Sequence, residues 1–385
     1  MALSGDDEVK AVVSFLKKEA MLTVSVAAAI LALFITPPSA ATLAGIDWKT
    51  LATLFMLLSV LDGFKHENLF LPVLRLTSKI RTTTALGFFL VFGVFFSSMF
   101  VTNDVSLIIF VPLTMLLFRQ RNQEKYILPM LTMENIAAVR GSLLTPFGSP
   151  QNLFLFANSG MTTGAFLKMM LPLWLGSIAL ISAFLLVLFR RDGALPAENT
   201  DYQGEAWQPA GRVRRVVYLL LFAVVIGCIV TRTPYWPVVT AAVALVLLAF
   251  DPGVFKRVDY ALLLTFFCFF VFSSSLAANE KIAAFLSRAV RGNEYWWSIG
   301  ISQIISNVPA AIVLWPFTDS LKALIYGLDT AGLVSVIGSL ASVINLRLYT
   351  REYPGRAKAF LVTFEKIPYG RYTVEETQPL PGYFK

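Results

Sequence analysis

Two short polar clusters, residues 98–104 (SMFVTND) and 302–308 (SQIISNV), lie in the middle of long apolar stretches of this sequence. Each cluster begins with a serine, reaches an asparagine five residues later and continues into an apolar segment that ends in proline. Polar groups are tolerated at membrane depth only where they are buried in protein or line a wet cavity. A matching pair of interruptions, one in each half of a chain, is typical of the binding site of a transporter.

The composition predicts an all-α protein with several membrane spans. The chain has 385 residues, of which 56% are hydrophobic and 15% charged, whereas soluble domains carry about 25% charged residues. Basic cytoplasmic loops explain the formal net charge of +8, so we expect no nucleic-acid partner. His66 is the only histidine and no Walker loop is present, which argues against histidine metal clusters and ATP-driven transport. The sequence has no nucleophile–base pair, so we expect neither an enzyme nor a cofactor.

Apolar stretches with the length of membrane spans divide the chain into two similar halves joined by a polar linker. The similarity begins at Asp47 and Asp259, each of which is followed by an aromatic residue and an apolar span. An odd number of spans separates the two copies, so we expect the second copy to be inverted. We predict a cytoplasmic N-terminus at 1–20, a first repeat at 21–189, a cytoplasmic linker at 190–215, a second repeat at 216–350 and a short tail at 351–385 that lacks the last span.

Each repeat is predicted to contain one re-entrant helical hairpin and one transmembrane helix broken by glycine or proline. The hairpins are residues 84–118 and 296–317, and the broken helices are residues 127–157 and 321–346. Basic residues flank the first hairpin stretch on both sides, which places both of its ends in the cytoplasm. The stretch is either a re-entrant hairpin or two full spans. We favour the hairpin because a binding motif belongs near the midplane of the membrane.

Two ionisable residues in apolar sequence are candidates for function, because charge is costly at membrane depth. Asp104 either carries a coupling proton, helps to bind a cation or caps the helix that follows it. Arg140 either binds an anionic substrate or pairs with Asp104 or Glu134. The N-termini of half-helices at the clusters would add partial positive charge that favours an anion.

These motifs resemble the ion transporter superfamily, and especially its citrate-transporter and arsenite-permease branch, which also has divalent anion:sodium symporters as relatives. The resemblance covers roughly residues 20–350 and rests on residues 102–104 (TND), 141–152 (GSLLTPFGSPQN) and 306–309 (SNVP). It implies a scaffold domain, a transport domain of two hairpins and two broken helices, a homodimer, and elevator-type alternating access. The sequence departs from the family at 139–140, where Val and Arg replace an asparagine that often precedes the Gly-Ser pair.

The resemblance also implies two cation sites and one substrate site. The first cation site would use Ser98, Thr102, Asn103 and the backbone near Gly148, and the second would use Ser302, Asn307 and the backbone near Gly338. The substrate would lie between the hairpin tips, against Thr102, Asn103, Ser306 and Asn307, with Asp104 and Arg140 as further candidates.

We therefore expect a secondary active transporter of a small carboxylate or oxyanion, coupled to sodium or protons and located in the plasma membrane. Arsenite or antimonite efflux, sodium/proton antiport and a transport-defective binding protein are the alternatives. The expected partners are the anion, membrane lipid and a second copy of the chain, and the coupling ion is sodium or a proton.

Overall fold

The fold consists of helices joined by short connections. The computed structural model describes residues 20–37, 43–67, 77, 80, 82–190 and 211–366, and no β-strand occurs among them. The predictions for 1–19, for most of the linker and for the tail after 366 therefore concern residues outside the described ones. Five of the described helices are long and apolar enough to cross a membrane. The prediction of an all-α membrane protein is confirmed.

The helices follow one another with breaks at the places where polar residues or glycines interrupt the apolar sequence. The first half contains α1 (Ala20–Ile35), α2 (Trp48–His66), α3 (Thr83–Val101), α4 (Asn103–Gln120), α5 (Ile127–Ser142), α6 (Pro150–Asn158) and α7 (Thr163–Leu188). The second half contains α8 (Arg212–Thr231), α9 (Trp236–Phe250), α10 (Tyr260–Ala278), α11 (Glu280–Val290), α12 (Glu294–Ile305), α13 (Asn307–Leu314), α14 (Leu321–Val334), α15 (Leu340–Glu352) and α16 (Ala357–Lys366). The span-length helices are α3, α4, α7, α8 and α10.

The helices α2 and α10 begin in the same way, at the two aspartates where the halves of the sequence first match. The Asp47 carboxylate accepts a hydrogen bond from the Thr50 N–H at 2.9 Å, and the Asp259 carboxylate accepts one from the Leu262 N–H at 2.9 Å. A short polar side chain at this position satisfies an N–H group that has no partner within the helix. The local sequence therefore fixes the start of both helices.

Two apolar cores hold the described helices together. One core is built around α2, α6, α10 and α13, and the other around α3, α4, α5 and α15. The outer helices leave large apolar side chains uncovered, including Leu180 on α7 (74% exposed) and Leu220 on α8 (61% exposed). A helix that is apolar on every side is typical of a membrane-embedded bundle.

Helices of the first half pack directly against helices of the second half. Within each half, α3 packs on α5 and α12 packs on α14. Between the halves, α4 packs on α15 and α13 packs on α6. The short α16 adds to the second core, because Phe360 is buried and its ring lies 5.6 Å from that of Tyr349 on α15. Residues 357–366 are thus a short helix packed on α5 and α15.

An ion-pair network ties the ends of α2 and α9 to the turn before α10. Arg257 donates to Asp62 and to Asp251 at 2.7 Å each, and Tyr218 donates its hydroxyl to Asp251 at 2.8 Å. Burial raises the pKa of Asp251, but the hydrogen bonds from Arg257 and Tyr218 outweigh it and hold the pKa below its usual value. The network stabilises this end of the molecule in the ionised form of Asp251.

Candidate functional site

The two polar clusters form two tips of the same backbone shape. The first tip is Thr102–Asn103 between α3 and α4, and the second tip is Ser306–Asn307 between α12 and α13. Thr102 has φ 70° and ψ 157°, and Ser306 has φ 68° and ψ 159°. This region of backbone space is occupied almost only by glycine, and a residue with a side chain there costs about 1–3 kcal/mol. Such strain is typical of ligand sites.

The side chains of Thr102 and Ser306 do not cap the helices that follow the tips. Thr102 and Ser306 occupy the N-cap positions of α4 and α13, yet neither side chain makes a capping hydrogen bond. The Ser306 hydroxyl is buried and has no partner within the described residues. The Asp104 carboxylate has one buried oxygen, Oδ1, without a partner within the described residues. These oxygen atoms remain available to a ligand.

Two irregular stretches, residues 143–149 and 335–339, lie between the halves of the interrupted helices. Each contains a glycine that has no room for a side chain. A Cβ atom on Gly148 would lie 2.2 Å from the Ser142 carbonyl oxygen, and one on Gly338 would lie 2.1 Å from the Ala331 carbonyl oxygen. The glycines therefore let the chain turn tightly back on the end of the preceding helix.

The first turns of four helices meet at a cavity of about 80 Å³. Most of its polar lining comes from the beginning of α4, α6, α13 and α15, and the N-terminal parts of α1 and α10 line its other side. The polar lining residues at these helix starts are Asn103, Asp104, Gln151, Ser306, Asn307 and Ser339. Unpaired N–H groups at a helix N-terminus carry partial positive charge, so four converging ends favour an anion.

The structure brings some of the predicted site residues together at this cavity and leaves others outside its lining. Asn103, Asp104, Ser306 and Asn307 line the cavity. Asn307 also reaches the second irregular stretch, because its backbone N–H donates to the Gly338 carbonyl at 3.0 Å. The predicted residues outside the lining are Ser98, Thr102, Arg140, Gly148, Ser302 and Gly338.

The serines that open the two clusters are buried one turn behind the tips. The Ser98 hydroxyl donates to the Phe95 carbonyl at 2.9 Å, and the Ser302 hydroxyl donates to the Ser298 carbonyl at 2.6 Å. Both bonds lie within their own helix, and the hydroxyl oxygen retains its lone pairs. Their predicted role as cation ligands stays a prediction.

Sequence reasoning missed the charged neighbour of Arg140. The buried carboxylate that acts electrostatically on Arg140 is Asp329 on α14. Glu134 instead accepts a short hydrogen bond from the Thr114 hydroxyl, and Asp104 has Asp259 as its charged neighbour. Asp329 is an acid within an apolar segment, so the rule that singles out Asp104 and Arg140 applies equally to it. Gln151 belongs to one of the sequence motifs, and the structure adds that it lines the cavity.

An all-helical membrane protein in which interrupted helices meet at a cavity, with polar side chains and helix N-termini in its lining, has the organisation of a membrane transporter. The family profile described as "Citrate transporter" matches residues 12–338 of the sequence. The chain therefore belongs to the citrate transporter family, which confirms the resemblance to the ion transporter superfamily.

Two relatives support the same assignment. The chain is 31% identical to the inner membrane protein YbiR of Escherichia coli (strain K12) over 312 residues, which cover 79% of this chain and 81% of that protein. It is 30% identical to the uncharacterized transporter MJ0456 of Methanocaldococcus jannaschii over 306 residues, again 79% of this chain and 81% of that protein. The first name describes a membrane protein, and the second describes a transporter.

Proposed function

We propose that this chain is a secondary active transporter that moves a small carboxylate or oxyanion across the plasma membrane and couples this movement to sodium or protons. The observation that carries the proposal is the cavity at which the N-terminal turns of four helices meet between the two tips. The first turns of α6 and α15, which follow the two irregular stretches, both line this cavity. Both halves of the chain therefore contribute to one site.

The helix ends favour the anion. Each N-terminus contributes the equivalent of about half an elementary charge, and its effect is large where water is excluded. Backbone N–H groups at the beginning of α4, α6, α13 and α15 would donate to the anion without a lysine or arginine in the lining. Displacing water from such donors favours binding of carboxylate or oxyanion oxygens.

The partnerless oxygen atoms favour a coupling cation or proton. The Ser306 hydroxyl and one Asp104 oxygen are buried without a partner in the described residues, and leaving such acceptors unsatisfied is costly. Sodium prefers hard oxygen ligands of this kind, as other hard cations do. A bound cation would satisfy these oxygens and would add positive charge beside the anion, so that the two ions bind together.

The wider architecture is proposed on the same basis. In this proposal the halves are inverted repeats, the two tips end re-entrant hairpins, the N-terminus is cytoplasmic, and lipid-exposed scaffold helices form a homodimer. The helices α12 and α13 have 12 and 8 residues, and a full span needs about 20. The helices α3 and α4 have 19 and 18 residues, so helix length supports a re-entrant hairpin at the second tip only. A transport domain that holds the tips would slide as one body past the scaffold and carry the cavity from one side to the other.

The topology can be tested by cysteine labelling. Cysteines placed at Gly160 and Asp319 should react with an impermeant reagent from outside, whereas one at Asn122 should be protected. Protection of the first two together with labelling of the third would contradict the inverted arrangement. The natural cysteines, Cys228 and Cys268, are buried and provide a low background.

Uptake into proteoliposomes tests the function directly. Radiolabelled citrate, succinate and arsenate are offered separately with an inward sodium gradient, with an inward proton gradient, or with neither. We expect uptake of at least one anion that depends on one of the gradients. Binding of an anion without uptake under any gradient would contradict the proposal and would favour a transport-defective binding protein.

Sodium/proton antiport is the second candidate. It is favoured by the carboxylates Asp104 and Asp259, both of which line the cavity, while no lysine or arginine is among the described lining residues. The same vesicles distinguish the two candidates when they are loaded with a pH-sensitive dye. Sodium-driven proton movement in the absence of any transported anion would support antiport, and its absence would support anion transport.

A further inference from the structure

Two opposite charges, a buried aspartate and a half-buried arginine, lie outside the lining of the cavity. Arg140 is near the end of α5, and Asp329, which is 1% exposed, is in the middle of α14. Arg140 makes no hydrogen bond within the described residues, and its Nη1 atom is buried without a partner. The Oδ2 atom of Asp329 is also buried without a partner. Their charges attract each other, but no contact within 4.0 Å completes an ion pair.

Gln151 connects this pair to the cavity. It stands in the first turn of α6, lines the cavity, and is buried. Its Nε2 atom lies 3.4 Å from Oδ1 of Asp329, which is a long hydrogen bond, and its Oε1 atom has no partner. One face of this amide therefore meets the carboxylate, and the side chain as a whole borders the space where a ligand would bind.

We propose that Asp329 is the group that binds the coupling proton and that the Gln151 amide transmits its protonation state to the cavity. This inference rests on the proposed anion transport, and it adds the residues that couple the proton to the anion.

The chemistry follows from which atoms donate and which accept. An ionised Asp329 can only accept hydrogen bonds, so it accepts one from the Gln151 NH₂ group. The amide oxygen of Gln151 then faces the cavity. An amide oxygen repels an anion. When a proton from the aqueous side binds Asp329, the new O–H can donate to Gln151 Oε1. The amide then turns by half a rotation and presents its NH₂ group to the cavity, where it donates to the anion.

Arg140 supplies the positive charge that keeps Asp329 ionised in the empty state. The other titratable side chains on helices packed against α14 are Glu134 on α5 and Glu294 and Tyr295 on α12, and α14 itself carries Lys322 and Tyr326. Glu134 is held by Thr114, and Glu294 accepts from the backbone N–H groups of Asp319 and Ser320. The helices α6 and α13 contribute no titratable side chain. Arg140 is thus the cation placed to set the protonation of Asp329.

Infrared difference spectroscopy tests the proton site without any ligand. The purified protein is titrated from pH 9 to pH 5, and the carbonyl stretch of a protonated carboxylic acid is followed. We expect a band that grows as pH falls and is missing in Asp329→Asn. In Arg140→Gln the same band should persist to higher pH. A wild-type spectrum whose acid bands are all retained in Asp329→Asn would overturn the inference.

Citrate affinity tests the link to the cavity. Where Asp329 ionises, the wild-type Kd should rise by about tenfold per pH unit because one proton is taken up with the anion. In Asp329→Asn the neutral amide can donate to Gln151 at every pH, so the extra dependence should vanish. Comparing the two proteins at each pH cancels the ionisation of citrate itself. Equal pH dependence in both proteins would overturn the inference.

Two further variants separate coupling from folding. Gln151→Leu should keep the infrared band of Asp329 but lose the proton-linked part of citrate binding, which a merely structural role would not produce. The double variant Arg140→Gln/Asp329→Asn removes both charges and should behave as Asp329→Asn does. Asp319→Asn is the matched control, because Asp319 is exposed and paired with Arg291 at 3.2 Å, and its pH profile should equal that of the wild type.

The outcomes also separate this inference from the proposed function. Absence of anion uptake by wild-type vesicles, with a band that titrates and disappears in Asp329→Asn, would refute anion transport and leave the proton site in place. Uptake of an anion with no titrating band from Asp329 would support anion transport and refute the proton site.

Discussion

The first tip and the second tip have the same backbone geometry but different support. The helices on either side of Thr102 have 19 and 18 residues, whereas those on either side of Ser306 have 12 and 8. The Oδ1 atom of Asn103 accepts a hydrogen bond from the neighbouring Asp104 N–H at 3.0 Å. Asn307 donates to the interrupted helix of its own half, through its backbone N–H to the Gly338 carbonyl at 3.0 Å and through its side chain to the Leu328 carbonyl at 3.4 Å.

This difference indicates that the two tips have different roles in the site. The second tip is anchored by bonds that cross between elements, and it is followed by an apolar residue, Val308. The first tip has fewer such bonds and is followed by the acid Asp104, whose oxygen is without a partner. We therefore expect the second tip to hold the geometry of the cavity and the first tip to respond to a bound cation.

The strongest test of the shared geometry is a single methyl group at each turn. Gly148→Ala and Gly338→Ala would place a Cβ atom 2.2 Å and 2.1 Å from a backbone carbonyl oxygen. Both should abolish uptake and lower the free energy of unfolding by about 3 kcal/mol or more, because backbone cannot move aside as a flexible side chain does. Thermal unfolding and vesicle uptake measure the two effects.

A matched control comes from glycines on the outer helices. A methyl group added at Gly176 on α7 or at Gly227 on α8 would meet no other atom within 4 Å. Gly→Ala at either position should therefore leave uptake unchanged and should slightly favour the helix. If only one of Gly148→Ala and Gly338→Ala were harmful, the two turns would not be equivalent.

The next comparison is between the asparagines. Asn103→Ala and Asn307→Ala should each reduce the apparent affinity for the coupling cation by at least about tenfold, since an oxygen ligand is lost where water cannot replace it. Only Asn307→Ala should also lower thermal stability, by about 1 kcal/mol, because its amide bonds to another segment. Equal stability of the two variants would show that the anchoring differs less than the contacts suggest. Unchanged cation dependence in Asn103→Ala would refute the first cation site.

A smaller and opposite effect is expected when the strain at the tips is released. Thr102→Gly and Ser306→Gly remove a side chain from a backbone conformation with φ near +70°. The gain from relieved strain exceeds the entropic cost of glycine, so the free energy of unfolding should rise by about 1 kcal/mol. Thr102→Gly should stabilise more, since threonine is β-branched. A loss of stability in either variant, measured by thermal unfolding, would show that the hydroxyl contributes more than the strain removes.

The smallest effect lies away from both tips and serves as their reference. The pKa of Asp251 is held below its usual value by Arg257 and Tyr218. Its contribution to stability is therefore present above the unfolded-state pKa, about 3.9, and is lost as pH falls through the lower folded-state pKa. Asp251→Ala should cost about 0.5 kcal/mol at pH 7 and progressively less under acid, because the partly exposed pair is screened by solvent. A constant difference across pH, in parallel unfolding experiments, would contradict this assignment.

The sequence predicts which residues interrupt the apolar helices better than it predicts their backbone conformation or their tertiary contacts. The interruptions at 98–104 and 302–308 follow from polar residues in apolar sequence, and the structure places helix ends there. The positive φ angles of Thr102 and Ser306 could not be predicted, because nothing in a Thr-Asn or Ser-Asn pair requires a conformation that glycine prefers. The pairing of helices between the halves depends on tertiary packing and leaves no local signal.

The charged residues show the same limit. Arg140 stands out in the sequence as an ionisable group in an apolar segment, but its neighbour Asp329 lies 189 residues further along the chain. Distance in the sequence says nothing about which acid faces which base, so Asp104 and Glu134 are equally reasonable partners at that level. Gln151 can be placed at the cavity only once the first turn of α6 is located in space.

The packing of first-half helices on second-half helices has a consequence for biosynthesis. The α4 helix ends at Gln120, but α15, on which it packs, begins at Leu340. At about 5–20 residues per second, the ribosome needs roughly 10–45 s to translate the intervening ~220 residues. During that interval the first tip and its acid must wait in the translocon or the lipid without their final neighbour. Membrane chaperones that shelter polar segments would therefore act on the first half of the chain, and a truncated first half should be degraded rather than accumulate.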